Sequence, residues 1–351
     1  MQTPLPVVII GAGLTGLVCA RALQDAGRKV VVLDKGRSPG GRLATRWLGQ
    51  PSRRCDTGAQ VFSVRDAAFA QLVQRWSPHV APWCNGFPVI RPEGIMPPDG
   101  HPRWYAPAGM SALAKHLAQD LDLHGDRTVT GLAPDPAGWR LTVEPGDLVR
   151  PTTPATGPAK SLLASAVILT APLPQVPMWF ARWDLDIPPA LAEDLAKSHF
   201  APCLCALVDW PQADRPVLPP PGGARIEDPA CPVGWLASQA TKGLHTPGDA
   251  LVVHARGDWS ALHQQADDAT VLAALIPAVK ALVERLGGHW PGDPAEATLK
   301  RWKYSLAMRS PKPRCRIVNL PATLVIAGDG YGEAGRVEGA VLSGLAAAQA
   351  V

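Results

Sequence analysis

The chain has 351 residues, a net charge of +4, 46% apolar and 18% charged residues. That length and apolar content support two domains, or one domain with a large insertion, and exclude global disorder. The small net charge, with no Lys/Arg-rich run and no basic stripe interleaved with aromatics, argues against a nucleic-acid partner.

Seven cysteines form an odd set without a CxxC pair, and nine histidines lack HxxxH or HxH spacing. Reduced thiols, a cytoplasmic location and no metal are the expectation. The N-terminus has no basic leader and its apolar run is broken by glycines, so it does not read as a signal peptide. No stretch approaches about 20 uninterrupted apolar residues, so no membrane span is expected. Twelve Trp against three Tyr suit core and rim packing for the most part, and some could wall a flat ligand.

Residues 7–10, VVII, are a β-branched run that predicts a strand buried on both faces. The loop Gly11-Ala12-Gly13-Leu14-Thr15-Gly16 follows directly, then a helical pattern over 17–26, stopped by Gly27. A second apolar strand, 29–33, ends at Asp34. In a strand–turn–helix unit of this kind the first glycine permits the tight turn. The second lets backbone approach a pyrophosphate, and the third lets the helix pack closely. The helix N-terminus favours phosphate charge, and the acid can accept both hydroxyls of an adenosine ribose. The unit reads as a dinucleotide site, NAD or FAD.

Residues 36–46, GRSPGGRLATR, carry Arg42, a candidate phosphate contact. Residues 55–62, CDTGAQVF, form a polar turn entering a short strand, and 66–76 an amphipathic helix. Residues 77–103 are rich in Pro and Gly, and a helix is expected over 111–121 with Ser111 as cap or first-turn residue. Strands are expected at 127–132, 139–144 and 166–170, with an exposed loop at 145–160 that holds four Pro and two Gly. Beyond 175, a short helix (191–197), strands at 203–210, 233–237 and 250–255, a helix at 271–286 and a strand at 298–306 read as an inserted substrate domain. The strand 323–327 then meets Gly328-Asp329-Gly330, and a small-residue helix starts at Val337-Glu338-Gly339-Ala340. This second strand–glycine–helix junction offers Asp329 to a polyol chain and a positive helix end to a reduced flavin, which favours FAD over NAD.

Together these blocks resemble the FAD-dependent amine oxidase superfamily and, within it, the renalase-like branch. The resemblance rests on GAGLTG, DKGRSPGGRLATR, CDTGAQVF, LTAPLPQ, WLASQATKG, LVVHARGDWS, KRWKYSLA and AGDGYGEAGRVEGAVLSG. It implies an α/β fold: a Rossmann-type FAD-binding domain (1–84, 105–174 and 316–351) with an inserted mixed-sheet substrate domain (85–104 and 175–315). It further implies that Gly11, Ala12, Gly13, Gly16, Asp34 and Lys35 hold the ADP half of FAD, with Arg42 near the pyrophosphate. Val129 would meet the adenine, and Gln60 and Val61 would line the isoalloxazine. Gly328, Asp329 and Val337, Glu338, Gly339 and Ala340 would bind the ribityl chain and ring, and His254 and Trp302 the substrate.

The residues 239–244 depart from the family pattern: Lys242 is retained, while a Pro and an Arg are not. No Cys lies near the C-terminal motif, so FAD is expected to be non-covalent. The activity implied is oxidation of 2- or 6-dihydro-NAD(P) isomers to NAD(P)+, with O2 as acceptor and H2O2 as product, by hydride transfer to flavin N5. An amine oxidase or a carotenoid or porphyrin-precursor desaturase on the same scaffold is the first alternative, and a non-catalytic flavin-binding redox sensor the second.

Overall fold

A computed structural model describes residues 4–48, 53–146, 158–332 and 336–351. The chain divides into two compact units. The first comprises Met1–Gly41, Ala114–Phe200 and Ala307–Val351, the second Arg42–Leu113 and Ala201–Leu306.

The first unit holds a six-stranded sheet in the order Cys315–Asn319, Thr323–Ala327, Ala166–Leu169, Val7–Ile10, Val30–Leu33, Leu123–His124. All pairs are parallel except the edge strand Cys315–Asn319, which runs antiparallel to Thr323–Ala327. Every residue of Val7–Ile10 and Ala166–Leu169 is buried, the pattern of strands covered on both faces. The first and last helices, Leu14–Asp25 and Val337–Gln349, pack together. Gly344 makes this possible, because a Cβ there would lie 2.5 Å from the Thr15 carbonyl oxygen. A three-stranded antiparallel sheet, Arg127–Asp135, Gly138–Pro145 and Lys160–Ala164, completes this unit. The buried Trp139 donates its indole N–H to the Thr323 carbonyl at 3.0 Å, tying the two sheets.

The second unit is built on a seven-stranded sheet: Glu296–Arg309, His199–Trp210, Asp249–Ala255, Val233–Ser238, Gly223–Ile226, Val89–Arg91, Gly94–Met96. Alternation along the strands gives it two different faces. Leu204, Ala206, Val208, Leu236, Leu251 and Val253 point to one, against Val271, Leu275, Val279 and Leu282 of the helix Asp268–Arg285. That helix is capped by the Asp267 carboxylate, which accepts from the Thr270 N–H at 2.8 Å. The other face carries Cys205, Leu207, Ala250 and Val252, packed with Cys55 and Trp302.

The α/β class and both strand–glycine–helix junctions stand as expected from sequence, with the first helix beginning three residues earlier, at Leu14. Gly27 follows that helix at φ +74°, as a terminating glycine does. The observed units divide the chain elsewhere than the sequence did: 42–84 and 105–113 group with the sheet of the second unit, and 175–200 and 307–315 with the first. The strand Arg54–Asp56 explains the former. Its Arg54 N–H donates to the Leu244 carbonyl at 2.9 Å, and Asp56 is bound to Gln239 and Lys242.

Ser111 is a first-turn residue rather than the cap: the helix is Met110–Leu117. Its first amides are held from a distance, Met110 N–H by Asp56 Oδ1 at 2.9 Å and Ser111 N–H by Thr45 Oγ1 at 3.0 Å. Residues 147–157 of the 145–160 loop lie outside the described residues. Among the described residues, no helix is long and apolar enough to cross a membrane, and no cluster of His, Cys, Asp and Glu could hold a metal.

Candidate functional site

In the first unit, Gly11 leaves the strand at φ +116°, and its N–H donates to the Leu33 carbonyl at 2.8 Å. A Cβ there would meet Thr170 Oγ1 at 2.3 Å, and one on Gly16 would meet the Gly11 carbonyl oxygen at 2.0 Å. These two glycines are required by contact inside the protein. Gly13 is different: a Cβ there would meet nothing within 4 Å. Open space lies before a helix start with no side-chain cap, so its N–H groups are available to an outside acceptor. A pyrophosphate fits that space and that charge.

Asp34, expected to accept ribose hydroxyls, already accepts two backbone amides, Ala12 N–H on Oδ2 at 2.5 Å and Gly36 N–H on Oδ1 at 2.6 Å. It therefore joins the glycine turn to the loop that follows the second strand. Lys35 is half-buried beside it. Val129 is buried, and its carbonyl accepts the Trp183 indole N–H at 3.4 Å.

At the C-terminal junction Gly328 has φ +150°, and its N–H donates to Ser343 Oγ at 2.8 Å. Asp329 is buried beside it. The helix beginning Val337-Glu338-Gly339-Ala340 also lacks a side-chain cap. Two uncapped helix starts in one unit, each reached from a glycine at the end of a parallel strand, suit a cofactor with a pyrophosphate and an electron-accepting ring.

The second unit holds the remaining predicted residues. His254 Nε2 and Trp302 Nε1 converge on one acceptor, the Thr57 carbonyl, at 3.3 and 3.0 Å. Thr57 is buried, and its own N–H donates to the Ala44 carbonyl at 2.8 Å. Gly58 follows because a Cβ there would lie 1.9 Å from the Arg42 carbonyl oxygen. The Arg42 guanidinium donates to the Ser305 carbonyl at 3.3 Å, an engagement the phosphate reading did not include.

Burial lowers the His254 imidazole to about 4, the nearby Lys242 charge adds to this, and the Thr57 bond opposes it. His254 is thus neutral near pH 7, with its proton on Nε2, since a carbonyl can only accept. Its Nδ1 can then only accept.

Gln60 and Val61 lie at the end of this segment, Gln60 buried and Val61 partly so. Gln60 belongs to a closed polar network that the sequence reading missed. Its side-chain amide donates to the Asp56 carbonyl, and its Oε1 accepts from Gln239 Nε2 at 3.1 Å. Gln239 Oε1 in turn accepts the Asp56 N–H at 3.0 Å. Lys242 forms a fully buried ion pair with Asp56 Oδ2 and donates to the Gln60 carbonyl at 3.2 Å. Its ammonium also lies 5.4 Å over the Trp83 ring. The retained Lys in an altered loop was the only signal for this.

An aromatic group was missed as well. Trp83 meets Phe87 edge-on at 5.0 Å, and Phe87 meets Trp235 at 4.8 Å. Tyr105 lies 5.9 Å from Trp83. Trp235 stands directly across from His254 in the strand register. His254 therefore shares that face of the sheet with Trp235, whose ring Phe87 holds edge-on, an arrangement able to hold a planar ligand.

Comparison with known proteins accords with this chemistry. A model of NAD(P)-binding Rossmann-like domains matches residues 9–76, and the flavin-containing amine oxidoreductase model matches residues 95–351. Among curated proteins, hydroxyneurosporene desaturase of Rhodobacter capsulatus is 37% identical over 83 residues, 23% of this chain and 16% of that protein. L-amino-acid oxidase of Mus musculus is 43% identical over 53 residues, 13% of this chain and 8% of that protein. A bifunctional tRNA 5-methylaminomethyl-2-thiouridine biosynthesis protein of Magnetococcus marinus is 27% identical over 178 residues, 38% of this chain and 26% of that protein. The aligned regions thus span about a quarter or less of these relatives' lengths.

Among solved structures, cyclohexylamine oxidase from Brevibacterium oxydans IH-35A has a TM-score of 0.71 at 14% identity, covering 99% of this chain and 98% of its own. A redesigned putrescine oxidase has a TM-score of 0.71 at 13% identity, with the same coverage. Both are likenesses of fold. The glycine turn, the second flavin-type junction and the family match together make FAD the cofactor, and the chain belongs to the flavin-containing amine oxidoreductase family.

Proposed function

We propose that this flavoprotein oxidises dihydronicotinamide nucleotides reduced at the wrong ring carbon, 2- or 6-dihydro-NAD(P), to NAD(P)+. Oxygen is the acceptor: one substrate, one O2 and one proton give one NAD(P)+ and one H2O2. Bound FAD, held non-covalently, supplies the hydride acceptor at N5 and passes the electron pair to oxygen.

The observation that carries this reading is the neutral His254 beside a cluster of aromatic rings. Loss of hydride turns a dihydropyridine into an aromatic pyridinium, so no base has to remove a proton from carbon. What the protein must provide is a flat wall, a fixed distance and the exclusion of water. His254 and Trp302 supply this by anchoring on the Thr57 carbonyl, which holds both rings in place. Gln60 and Val61, locked by the Lys242 network, present a rigid backbone. In this reading Gly11, Ala12, Gly13, Gly16, Asp34 and Lys35 hold the ADP half, with Val129 at the adenine and Arg42 near the pyrophosphate. Gly328, Asp329 and the 337–340 helix start hold the ribityl chain and ring.

A second reading, oxidation of an amine, is favoured by Lys242 over Trp83, since a ring that accepts one ammonium can accept another. One experiment separates the two. The purified holoprotein is mixed anaerobically with 6-dihydro-NAD, ordinary NADH or a panel of amines, and the flavin band near 450 nm is followed. Bleaching by the isomer alone, with H2O2 on readmitting air, is the expected result. Bleaching by an amine and not by the isomer would replace the first reading with the second.

A further inference from the structure

We propose that Trp235 determines specificity at this site: its indole N–H and His254 Nδ1 form a donor–acceptor pair that reads a primary carboxamide. The proposal rests on the reading above only in taking His254 as facing the substrate.

Trp235 and His254 are directly opposed residues of antiparallel strands, Val233–Ser238 and Asp249–Ala255, so both side chains leave the same face of the sheet. Directly opposed residues have Cβ atoms about 4.5–5.5 Å apart. The Trp235 Nε1 is buried without a hydrogen-bond partner among the described residues. A buried N–H left unpaired costs about 1–3 kcal/mol, so such a group in a native fold calls for a partner. Its neighbour across the strand has the complementary defect. The His254 proton is committed to the Thr57 carbonyl, which leaves Nδ1 an acceptor and never a donor while the ring is neutral.

One unpaired donor beside one acceptor matches a C(=O)NH2 group: the carbonyl oxygen accepts from Trp235 and the amide N–H donates to His254. A carboxylate of the same shape has no proton to give, and it would set a negative oxygen against the Nδ1 lone pair. A site built to hydrogen-bond a substrate group rejects the analogue that lacks it more strongly than an apolar pocket rejects a change of size. The aromatic ring of Trp235, held edge-on by Phe87, does the packing, and only its N–H does the reading.

The test uses the holoprotein and simple probes. Nicotinamide, nicotinate and pyridine are titrated into wild type and Trp235→Phe, which keeps a ring and removes the N–H. Binding is read from the flavin difference spectrum, with FAD content and melting temperature as controls for folding. Wild type is expected to favour nicotinamide over both other probes by at least about tenfold, and the variant to lose about tenfold of its preference over pyridine while keeping its preference over nicotinate, whose oxygen accepts the same N–H. A His254→Phe variant is expected to lose the preference over nicotinate. Equal affinity of wild type for the three probes, or a preference over pyridine untouched in Trp235→Phe, overturns the proposal. The 450 nm assay above is independent. An amide preference that depends on Trp235, in a protein that the dihydro isomers do not bleach, would retain this proposal and reject the reaction.

Discussion

Replacing Lys242 by Met should destabilise the second unit more than any single surface change. The ammonium and the Asp56 carboxylate are both fully buried, and Lys242 also donates to the Gln60 carbonyl at 3.2 Å. In the variant Asp56 Oδ1 keeps Thr45 Oγ1 at 2.6 Å and the Met110 N–H at 2.9 Å, while Oδ2 loses its cation. Removing one partner of a buried pair costs about 3–5 kcal/mol, because the surviving charge stays in a low-dielectric interior. For a unit of this size about 1 kcal/mol corresponds to roughly 2–4 °C, so a fall of about 6–20 °C in Tm is expected. Calorimetry or a guanidinium titration of the holoprotein measures it. The double variant Lys242→Met, Asp56→Asn removes both charges and should regain at least half of the loss. A fall below about 2 °C in the single variant, or no recovery in the double, would refute the argument that this pair holds the segment 54–61 to the 239–244 turn.

Four other outcomes follow from the site. An unfolded histidine titrates near ~6.5, whereas folded His254 is lowered to about 4. Its contribution to stability is therefore fully present above about 6.5 and is lost as pH falls toward about 4, and a His254→Gln variant should flatten that part of a Tm-against-pH curve. By the same shift, flavin reduction should not vary through His254 between about pH 6 and 8, so a rate inflection near 6.5 that His254→Gln abolishes would contradict a neutral imidazole. Gly16→Ala sets a Cβ 2.0 Å from the Gly11 carbonyl oxygen, so the turn must open. Purified protein should then carry less than about a tenth of the wild-type FAD, read from the ratio of 450 to 280 nm absorbance. Asp34→Ala removes the acceptor of the Ala12 and Gly36 amides, bonds to a charged group worth about 1.5–3 kcal/mol each, and should weaken FAD binding at least tenfold by fluorescence titration.

The parts of the molecule legible in the sequence are those whose cause lies within a few residues. The strand 7–10, the glycine turn and the helix after it form one local unit, and so does the junction at 323–340. Both declare a nucleotide without knowledge of any distant contact. The Ser111 reading shows the limit: the groups that hold that helix start, Thr45 and Asp56, sit more than fifty residues earlier. Lys242 stands out in the sequence only as the retained residue of an altered loop, and the carboxylate that neutralises it lies 186 residues away. Trp235 is one of twelve tryptophans, and only strand register places it across from His254. Arg42 reads from its neighbours in sequence as a phosphate contact, and no local pattern shows that its guanidinium also donates to the carbonyl of Ser305, 263 residues on.

The closeness of the first and last helices has a consequence for how the protein is made. Leu14–Asp25 can be covered by its partner only when Val337–Gln349 has been synthesised, and the strand Ala166–Leu169 waits for Thr323–Ala327 as its outer neighbour. Every residue of the second unit, by contrast, precedes position 307. On the ribosome the sheet that carries Trp235 and His254 can therefore mature while the nucleotide sheet is still open, with its apolar strands waiting for chaperones or for the chain's last turns. A nascent chain arrested after Leu306 should protect the second unit from protease and retain no FAD. FAD binding thus waits for residues 323–349, which complete the nucleotide sheet and the helix that covers it.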